Sequence, residues 1–328
     1  MSEIIPRLRS LGSTSAAMLT LAKGLFESGR HAEALAQIAL VLEDNPDLAI
    51  AYFLKGLVLS RLSDFVVAAE CFENTVRLDP EFVGAWFGLA NVRIELGMMD
   101  EALDAVGRGL KLDPKHANGH LLHGNVLSHL QRSEKAIAAF QEAIKYNPQL
   151  MMAHYRLGYL LNELGRTDEA ASQLITSQRL NPRDTASRLT LGDIFRFHGN
   201  IDEAIDQYKF AAELSPLQGE AHARIGDTLD ELGNRKEAIS AYRIAIKRDA
   251  QIIGAFLSLA RIYLEEDCPA EALAMAKAAI EIDSRLPAAQ EMLERATKAQ
   301  DAATGTDTAT KSFTVDTPFK EPDESTID

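Results

Sequence analysis

Residues 185–218 read TASRLTLGDIFRFHGNIDEAIDQYKFAAELSPLQ, and this stretch decides the fold of most of the chain. Leu191 and Phe195 stand four residues apart in its first half, a spacing that predicts a first helix of about 14 residues. Gly199 marks a turn, because glycine readily adopts the left-handed conformation that ends helices. A second helix follows, with acids in its first turn as the helix dipole favours, and Pro216 ends it. The stretch therefore predicts a helical hairpin.

The hairpin recurs every 34 residues, counted from Ser15 as the first place, without an insertion. Repetition at a fixed period is typical of proteins in which each repeat stacks on its neighbours. Small side chains at two places let the two helices of a hairpin approach closely. The twentieth place is always alanine: Ala34, Ala68, Ala102, Ala136, Ala170, Ala204, Ala238 and Ala272. The eighth place is always small: Ala22, Gly56, Ala90, Gly124, Gly158, Gly192, Gly226 and Ala260. Proline ends six repeats, at Pro46, Pro80, Pro114, Pro148, Pro182 and Pro216, and Ala250 and Ser284 replace it in the last two.

These repeats resemble the tetratricopeptide repeat over residues 15–286. In the third and sixth repeats the pattern is carried by Trp86, Leu89, Ala90, Gly97, Ala102 and Pro114, and by Leu191, Gly192, Phe195, Gly199, Ala204, Tyr208 and Pro216. Departures from the usual residues are Lys55, Arg93 and Ala276. The resemblance implies an all-α fold, a right-handed superhelical solenoid of eight helix-turn-helix repeats whose first helices line a concave groove.

The sequence outside the repeats predicts three further segments. Residues 1–14 form an N-terminal extension, and residues 287–299 fit a C-terminal capping helix, since a solenoid needs a polar-faced end. Residues 300–328 are rich in Thr, Asp and Glu with few large apolar residues, which is typical of a disordered acidic tail.

Composition excludes several classes of function. The net charge of −14 is the opposite of what gripping a phosphate backbone or an anionic membrane surface needs. No apolar run approaches the roughly 18 residues needed to span a bilayer, and the N-terminus does not resemble a secretory signal. We therefore expect a cytoplasmic protein that neither binds nucleic acid nor inserts into a membrane. Cys71 and Cys268 lie too far apart in a solenoid to pair.

One stripe of each first helix is predicted to bind a partner. The fifth, ninth and twelfth places share a helix face opposite the packing residues. In the first five repeats this stripe is mainly apolar, aromatic or amide, and in the sixth and seventh it is acidic, so we expect a partner segment with apolar anchors and basic residues. The candidate residues are Phe53, Leu57, Phe87, Asn91, Asn125, Tyr155, Tyr159, Asn162, Asp193, Arg196, Asp227, Asp230 and the adjacent Glu231.

No catalytic, metal or cofactor site is predicted. His116, His120 and His123 have the spacing of one helix face, but no nearby cysteine or aspartate completes a ligand set. His120, His154 and His222 all occupy the fourth place of their repeats, which packing explains. No phosphate loop or nucleophile motif is present. The sequence thus favours a non-catalytic scaffold that binds an extended or helical segment of another protein. The alternatives are a self-assembling structural scaffold and a targeting subunit of a separately encoded enzyme, such as a glycosyltransferase.

Overall fold

The structure, a computed structural model, describes residues 4–9 and 13–305. These residues form helices joined by short turns and contain no strand, which confirms the all-α repeat solenoid. The helices are α1 Ile4–Arg9, α2 Ser13–Glu27, α3 His31–Asp44, α4 Ala49–Arg61, α5 Phe65–Leu78, α6 Val83–Glu95, α7 Met99–Leu112, α8 Ala117–His129, α9 Ser133–Tyr146, α10 Met151–Glu163, α11 Thr167–Leu180, α12 Thr185–Phe197, α13 Ile201–Leu214, α14 Glu220–Glu231, α15 Arg235–Arg248, α16 Ile253–Glu265, α17 Pro269–Ile282 and α18 Pro287–Thr304.

The chain forms two compact units, with the boundary between Asn200 and Ile201. The N-terminal unit contains α1 to α12, and the C-terminal unit contains α13 to α18. Within each unit, successive first helices of the repeats contact one another, as α4 does with α6 and α14 with α16. Among the described residues, the second helices of successive repeats do not contact one another to the same degree. The first helices are therefore the more closely spaced, and we call the surface that they form in each unit the inner face.

The two columns of small residues lie where the helices of a hairpin meet. All eight alanines of the twentieth place are fully buried. Four glycines of the eighth place, Gly56, Gly124, Gly158 and Gly226, lie against a large side chain of the second helix of the same repeat. A Cβ atom added at Gly124 would lie 2.4 Å from Cε1 of Phe140, and one added at Gly226 would lie 2.7 Å from the ring of Tyr242. The small residues are thus required by contact between the two helices, as predicted.

The turn between the two helices places one residue in the left-handed region. Five glycines have φ between 74° and 79° there, at Gly29, Gly97, Gly165, Gly199 and Gly233. The equivalent residues of the other three repeats are Ser63, Gln131 and Asp267, with φ of 62°, 56° and 57°. An L residue in this region has its Cβ close to the following carbonyl oxygen, which costs roughly 1–2 kcal/mol. Three turns are therefore strained relative to the other five.

Replacing Gln131 with glycine is expected to stabilise the fourth repeat. The substitution removes the left-handed strain but adds the chain entropy of glycine, so we expect a net gain of about 0.5–1 kcal/mol. Amide hydrogen exchange of α8 and α9 would measure the gain. The matched control is Gly165→Ala, which has open space around its Cβ position and should destabilise α10 and α11 by about 1 kcal/mol. Slower exchange in the control variant, or faster exchange in the Gln131→Gly variant, would contradict the explanation.

The two ends of the described chain differ from the boundaries predicted from sequence. The C-terminal helix α18 continues five residues beyond the predicted end at 299 and stops at Thr304, where Gly305 adopts φ 66°. It contacts α16 and α17, and Met292 on it is 9% exposed. The prediction of a disordered tail for the remaining residues, 306–328, lies outside the described residues. In the N-terminal extension, residues 4–9 form the helix α1.

Candidate functional site

The middle of the N-terminal unit's inner face carries four partly accessible side chains, Asn125, Tyr155, Tyr159 and Asn162, which we call the central patch. All four lie on the first helices α8 and α10. The rings of Tyr155 and Tyr159 are 6.2 Å apart between centroids, and Tyr159 is 42% exposed. The charge of the Glu163 carboxylate, together with a hydrogen bond between the two side chains, raises the pKa of the Tyr159 hydroxyl. The patch thus offers aromatic surface together with polar groups.

Other predicted residues extend the accessible stripe. Leu57 is half-buried on α4, and Asn91 is exposed on α6. The Asn91 side-chain amide donates a hydrogen bond of 3.0 Å to the carbonyl of Phe87, one turn earlier in the same helix. Part of its hydrogen-bonding capacity is therefore already used within the helix.

Two of the predicted aromatic anchors are core residues. Phe53 is 6% exposed and packs on Phe72 and Phe82, at centroid distances of 5.8 and 4.5 Å. Phe87 is 8% exposed and stacks on His116 at 4.6 Å. The interpretation of Phe53 and Phe87 as exposed anchors is therefore wrong for this conformation. The physical reason is that glycines and flat rings beside these side chains leave space that the phenylalanine rings fill. A Cβ atom added at Gly119, for example, would lie 2.5 Å from the Phe87 ring.

The acidic part of the stripe is largely engaged by the chain itself. In the C-terminal unit, Asp227 accepts a hydrogen bond of 2.7 Å from the Tyr242 hydroxyl. Asp230, whose side chain is 13% exposed, forms an ion pair with Arg261, which also contacts Glu265 at 3.0 Å. The Asp230 charge is therefore already compensated. This pairing was within reach of the sequence, because the two residues occupy the twelfth and ninth places of adjacent repeats.

The other charged candidates keep more accessible surface. Asp193 and Arg196 are half-buried on α12 in the N-terminal unit, and Glu231 is exposed at the end of α14 in the C-terminal unit. The predicted set thus falls into three parts: the central patch and its extension, two core phenylalanines, and a charged group in which Asp227 and Asp230 contact other side chains of the C-terminal unit.

The fourth-place residues hold the loops between repeats. The Trp86 indole donates to the Pro80 carbonyl at 2.8 Å. Ring Nε2 atoms of His120 and His154 contact the carbonyls of Pro114 and Pro148 at 2.9 and 3.1 Å. These are the same bond in three successive repeats, so packing accounts for the two histidines, as the repeat phase indicated. Residues 4–9 and 13–305 contain no group of three or more His, Cys, Asp or Glu side chains arranged to hold a metal ion.

Two further observations bear on the chemistry of the chain. Burial raises the pKa of the Cys71 thiol to about 11, so this residue behaves as a small apolar core group rather than as a nucleophile. No helix in the described part of the chain is long and apolar enough to cross a membrane.

Comparison with known proteins gives a family match along the repeats. A family model described as tetratricopeptide repeat matches residues 19–70, 55–117, 121–184, 189–251 and 224–287. Protein FlbA of Caulobacter vibrioides is 32% identical over 83 residues, which are 25% of this chain and 14% of that protein. The chain therefore matches only a small part of this relative.

Solved structures with a similar fold include other repeat proteins. A tetratricopeptide repeat protein from Parabacteroides merdae has a TM-score of 0.61 at 17% identity, covering 76% of this chain and 98% of that one. The Cut9–Hcn1 hetero-tetramer of the APC/C has a TM-score of 0.58 at 20% identity, covering 88% and 57%. At these identities the similarity concerns the fold alone.

Proposed function

This chain belongs to the tetratricopeptide repeat family, and we propose that it is a non-catalytic scaffold that binds an extended or helical segment of a partner protein on its inner face. The observation that carries the proposal is the central patch, where two tyrosines and two asparagines share one surface of adjacent first helices. Similarity in fold to a chain of the APC/C hetero-tetramer Cut9–Hcn1, which is an assembly of proteins, supports a protein partner in general terms.

The central patch has the composition of an energetic centre of an interface. Tyrosine is enriched among the residues that contribute most to binding, since it provides a large rigid surface and a hydroxyl group. Asparagine side chains both donate and accept, so Asn125 and Asn162 can pair with the main chain of an extended segment. We therefore place the apolar anchors of the partner over Tyr155 and Tyr159.

The acidic residues favour a partner that also carries basic groups. Asp193, Asp227, Asp230 and Glu231 provide negative charge, which would steer a cationic segment and orient it more than it would tighten binding. A basic residue that reached Asp230 would have to replace Arg261. For that reason we assign the carboxylates a smaller role than the tyrosines.

Two alternatives remain distinct in their chemistry. A self-assembling scaffold would use the same surface for a second copy of the chain, and a targeting subunit would use it for a separately encoded enzyme, such as a glycosyltransferase. We also propose a cytoplasmic location. The net charge of −14 argues against a nucleic-acid partner, which would need a basic surface.

The proposal is tested by peptide binding to the full chain. A peptide selected from a random library on the immobilised protein is expected to lose affinity by about tenfold or more when Tyr155 and Tyr159 are both replaced with alanine, the size of effect typical of interface centres. The matched control is Ile175→Ala, which removes a 52% exposed apolar side chain from the second helix of the same repeat. Affinity should stay unchanged in the control.

Other results would contradict the proposal. Equal affinity for the wild-type chain and the double variant would show that the peptide binds elsewhere. Light scattering separates self-assembly from binding of an external partner. If the wild-type chain forms an oligomer that dissociates in the Tyr155→Ala/Tyr159→Ala variant, the central patch binds a second copy of the chain and not an external partner.

A further inference from the structure

The N-terminal helix α1 lies on the inner face of the N-terminal unit. It contacts α2 and α4, the first helices of the first two repeats. Although α1 has only six residues, Ile4 is 1% exposed and Leu8 is 7% exposed, and both join the core of this unit. A six-residue helix does not persist in water without tertiary contacts. Its conformation therefore depends on the surface that receives it.

Arginine between these two aliphatic residues makes the polar part of the contact. Arg7 donates from Nε and Nη2 to Oδ2 of Asp79, at 3.0 and 2.8 Å. Its guanidinium carbon lies 4.0 Å from the centroid of the Phe82 ring, within the range of a favourable cation–π contact. The Arg7 and Asp79 side chains are 29% and 31% exposed, so the pair is only partly screened by water.

The receiving surface is particular to one junction between repeats. Asp79 and Phe82 occupy the thirty-first and thirty-fourth places of the second repeat, and no other repeat combines aspartate with phenylalanine at these places. Phe82 is fully buried and packs on Phe53, one of the residues predicted to bind a partner. The junction therefore combines an aromatic face and a carboxylate within reach of one guanidinium.

We propose that this junction is a second binding site, which takes a short helix of a partner protein. The partner helix has the spacing of α1: an aliphatic residue, an arginine three residues later, and a second aliphatic residue directly after the arginine, like Ile4, Arg7 and Leu8. In the free chain α1 fills the site as an internal ligand, and a partner helix binds by displacing it. The proposal rests on the proposed scaffold function and names the chemistry of one partner segment.

Covalent attachment makes α1 a strong competitor. A segment joined to its site by a short linker has an effective concentration on the order of mM. A partner helix of similar intrinsic affinity therefore binds the free chain weakly. Its apparent association constant is the intrinsic one multiplied by the small fraction of sites that α1 leaves empty. Partners with tighter contacts, or present locally at high concentration, overcome the internal ligand.

The test uses the full chain and a synthetic peptide with the sequence of residues 1–12, MSEIIPRLRSLG. Wild-type protein is expected to bind the labelled peptide weakly. The Ile4→Asp/Leu8→Asp variant, whose own α1 cannot dock, should bind it at least about tenfold more tightly. The matched control is Leu21→Asp/Leu40→Asp, which changes two leucines of the first repeat that are 53% and 49% exposed. Peptide affinity should equal the wild-type value in this control.

Two further arms identify the contact. Adding Asp79→Lys to the Ile4→Asp/Leu8→Asp variant should abolish the gain, and so should glutamate in place of arginine at position 7 of the peptide. Hydrogen exchange of α4 and α6 shows whether each variant retains its repeats, so that a lost site is distinguished from a lost fold. A gain that survives Asp79→Lys would overturn the assignment, as would equal peptide affinity in the wild-type and Ile4→Asp/Leu8→Asp chains.

Failure here is separable from failure of the scaffold proposal. The peptide that binds the central patch should keep its affinity in the Ile4→Asp/Leu8→Asp variant, whatever happens at the Asp79 junction. A wild-type dimer that becomes monomeric in that variant would show that α1 is exchanged between two copies, and would overturn its role as an internal ligand.

Discussion

Replacing Phe72 with alanine is expected to destabilise the second and third repeats by about 3–5 kcal/mol, the cost typical of removing a buried phenylalanine ring. Phe72 is 1% exposed and contacts two glycines, since Cβ atoms added at Gly56 and Gly88 would lie 2.9 and 2.7 Å from its ring. Phe53 also packs on it, with ring centroids 5.8 Å apart. Glycines have no side chain that could move into the cavity, so little of the loss can be recovered by relaxation.

The loss should be local, because each repeat of a solenoid contacts only its neighbours. Amide hydrogen exchange would therefore show the largest loss of protection in α4, α5 and α6, with smaller changes in α10 and α11. Phe197→Ala is the control, since that ring is 78% exposed and its removal should change stability by less than about 0.5 kcal/mol. A uniform loss of protection along α4 to α12, or a cost below about 1 kcal/mol, would contradict the role assigned to Phe72.

Adding a single methyl group at Gly124 is expected to have the second largest effect. Its Cβ would lie 2.4 and 2.5 Å from Cε1 and Cδ1 of Phe140, distances that van der Waals repulsion forbids. The Phe140 ring is 1% exposed and so has little room to move. We expect Gly124→Ala to destabilise the fourth repeat by about 1–3 kcal/mol, as overpacking commonly does, although alanine is otherwise the better helix former.

A second substitution tests the cause. Gly124→Ala/Phe140→Val reproduces the pair that the third repeat already has, Ala90 with Val106. The double variant should be more stable than the sum of the two single changes predicts, by about 1 kcal/mol or more, because the smaller side chain makes room for the methyl group. Chemical denaturation followed by hydrogen exchange of α8 and α9 measures the coupling. Strict additivity would show that the two residues do not compete for the same space.

This relation between the sizes of two facing residues is already present in the sequence. Where the eighth place is glycine in contact with the twenty-fourth, that place holds a large residue: Phe72, Phe140, Leu174 or Tyr242. Where the eighth place is alanine, the twenty-fourth holds Ile38, Val106 or Ala276. Ala276 stands where an aromatic residue is usual, and its small size corresponds to the alanine, not glycine, at Ala260 of the same repeat. Comparing two places across repeats would have shown the relation without coordinates.

The sequence predicted which residues share one face of each first helix, but it did not predict which of them are accessible. Helical periodicity placed the stripe on the first helices, because the backbone geometry of a helix alone determines which residues share a face. Accessibility is different, since it depends on which side chains of the second helix, the following loop and the next repeat pack against the stripe. Phe87 is covered by His116 and Gly109 of its own repeat and by Gly119 of the next, whereas Tyr159 at the ninth place stays 42% exposed.

The docking of α1 could not be predicted from the pattern of residues 1–14. The repeats contain no residues equivalent to Ile4, Arg7 and Leu8. Comparison between repeats therefore gives no information about the contacts of these three residues. Their partner Asp79 lies 72 residues away in sequence. A single contact at that separation produces no periodic pattern in the sequence, so only the three-dimensional structure shows it.

By itself, the sequence determined the all-α class, the eight repeats, the bounds of each hairpin to within a few residues, and the residues that share one face of each first helix. These properties follow from contacts within one period of 34 residues, and eight copies of each contact make the pattern unmistakable. Only the tertiary structure decided which inner-face side chains remain accessible and that α1 covers the junction at Phe82. Each of these depends on contacts made once, between residues that the repeat does not relate to one another.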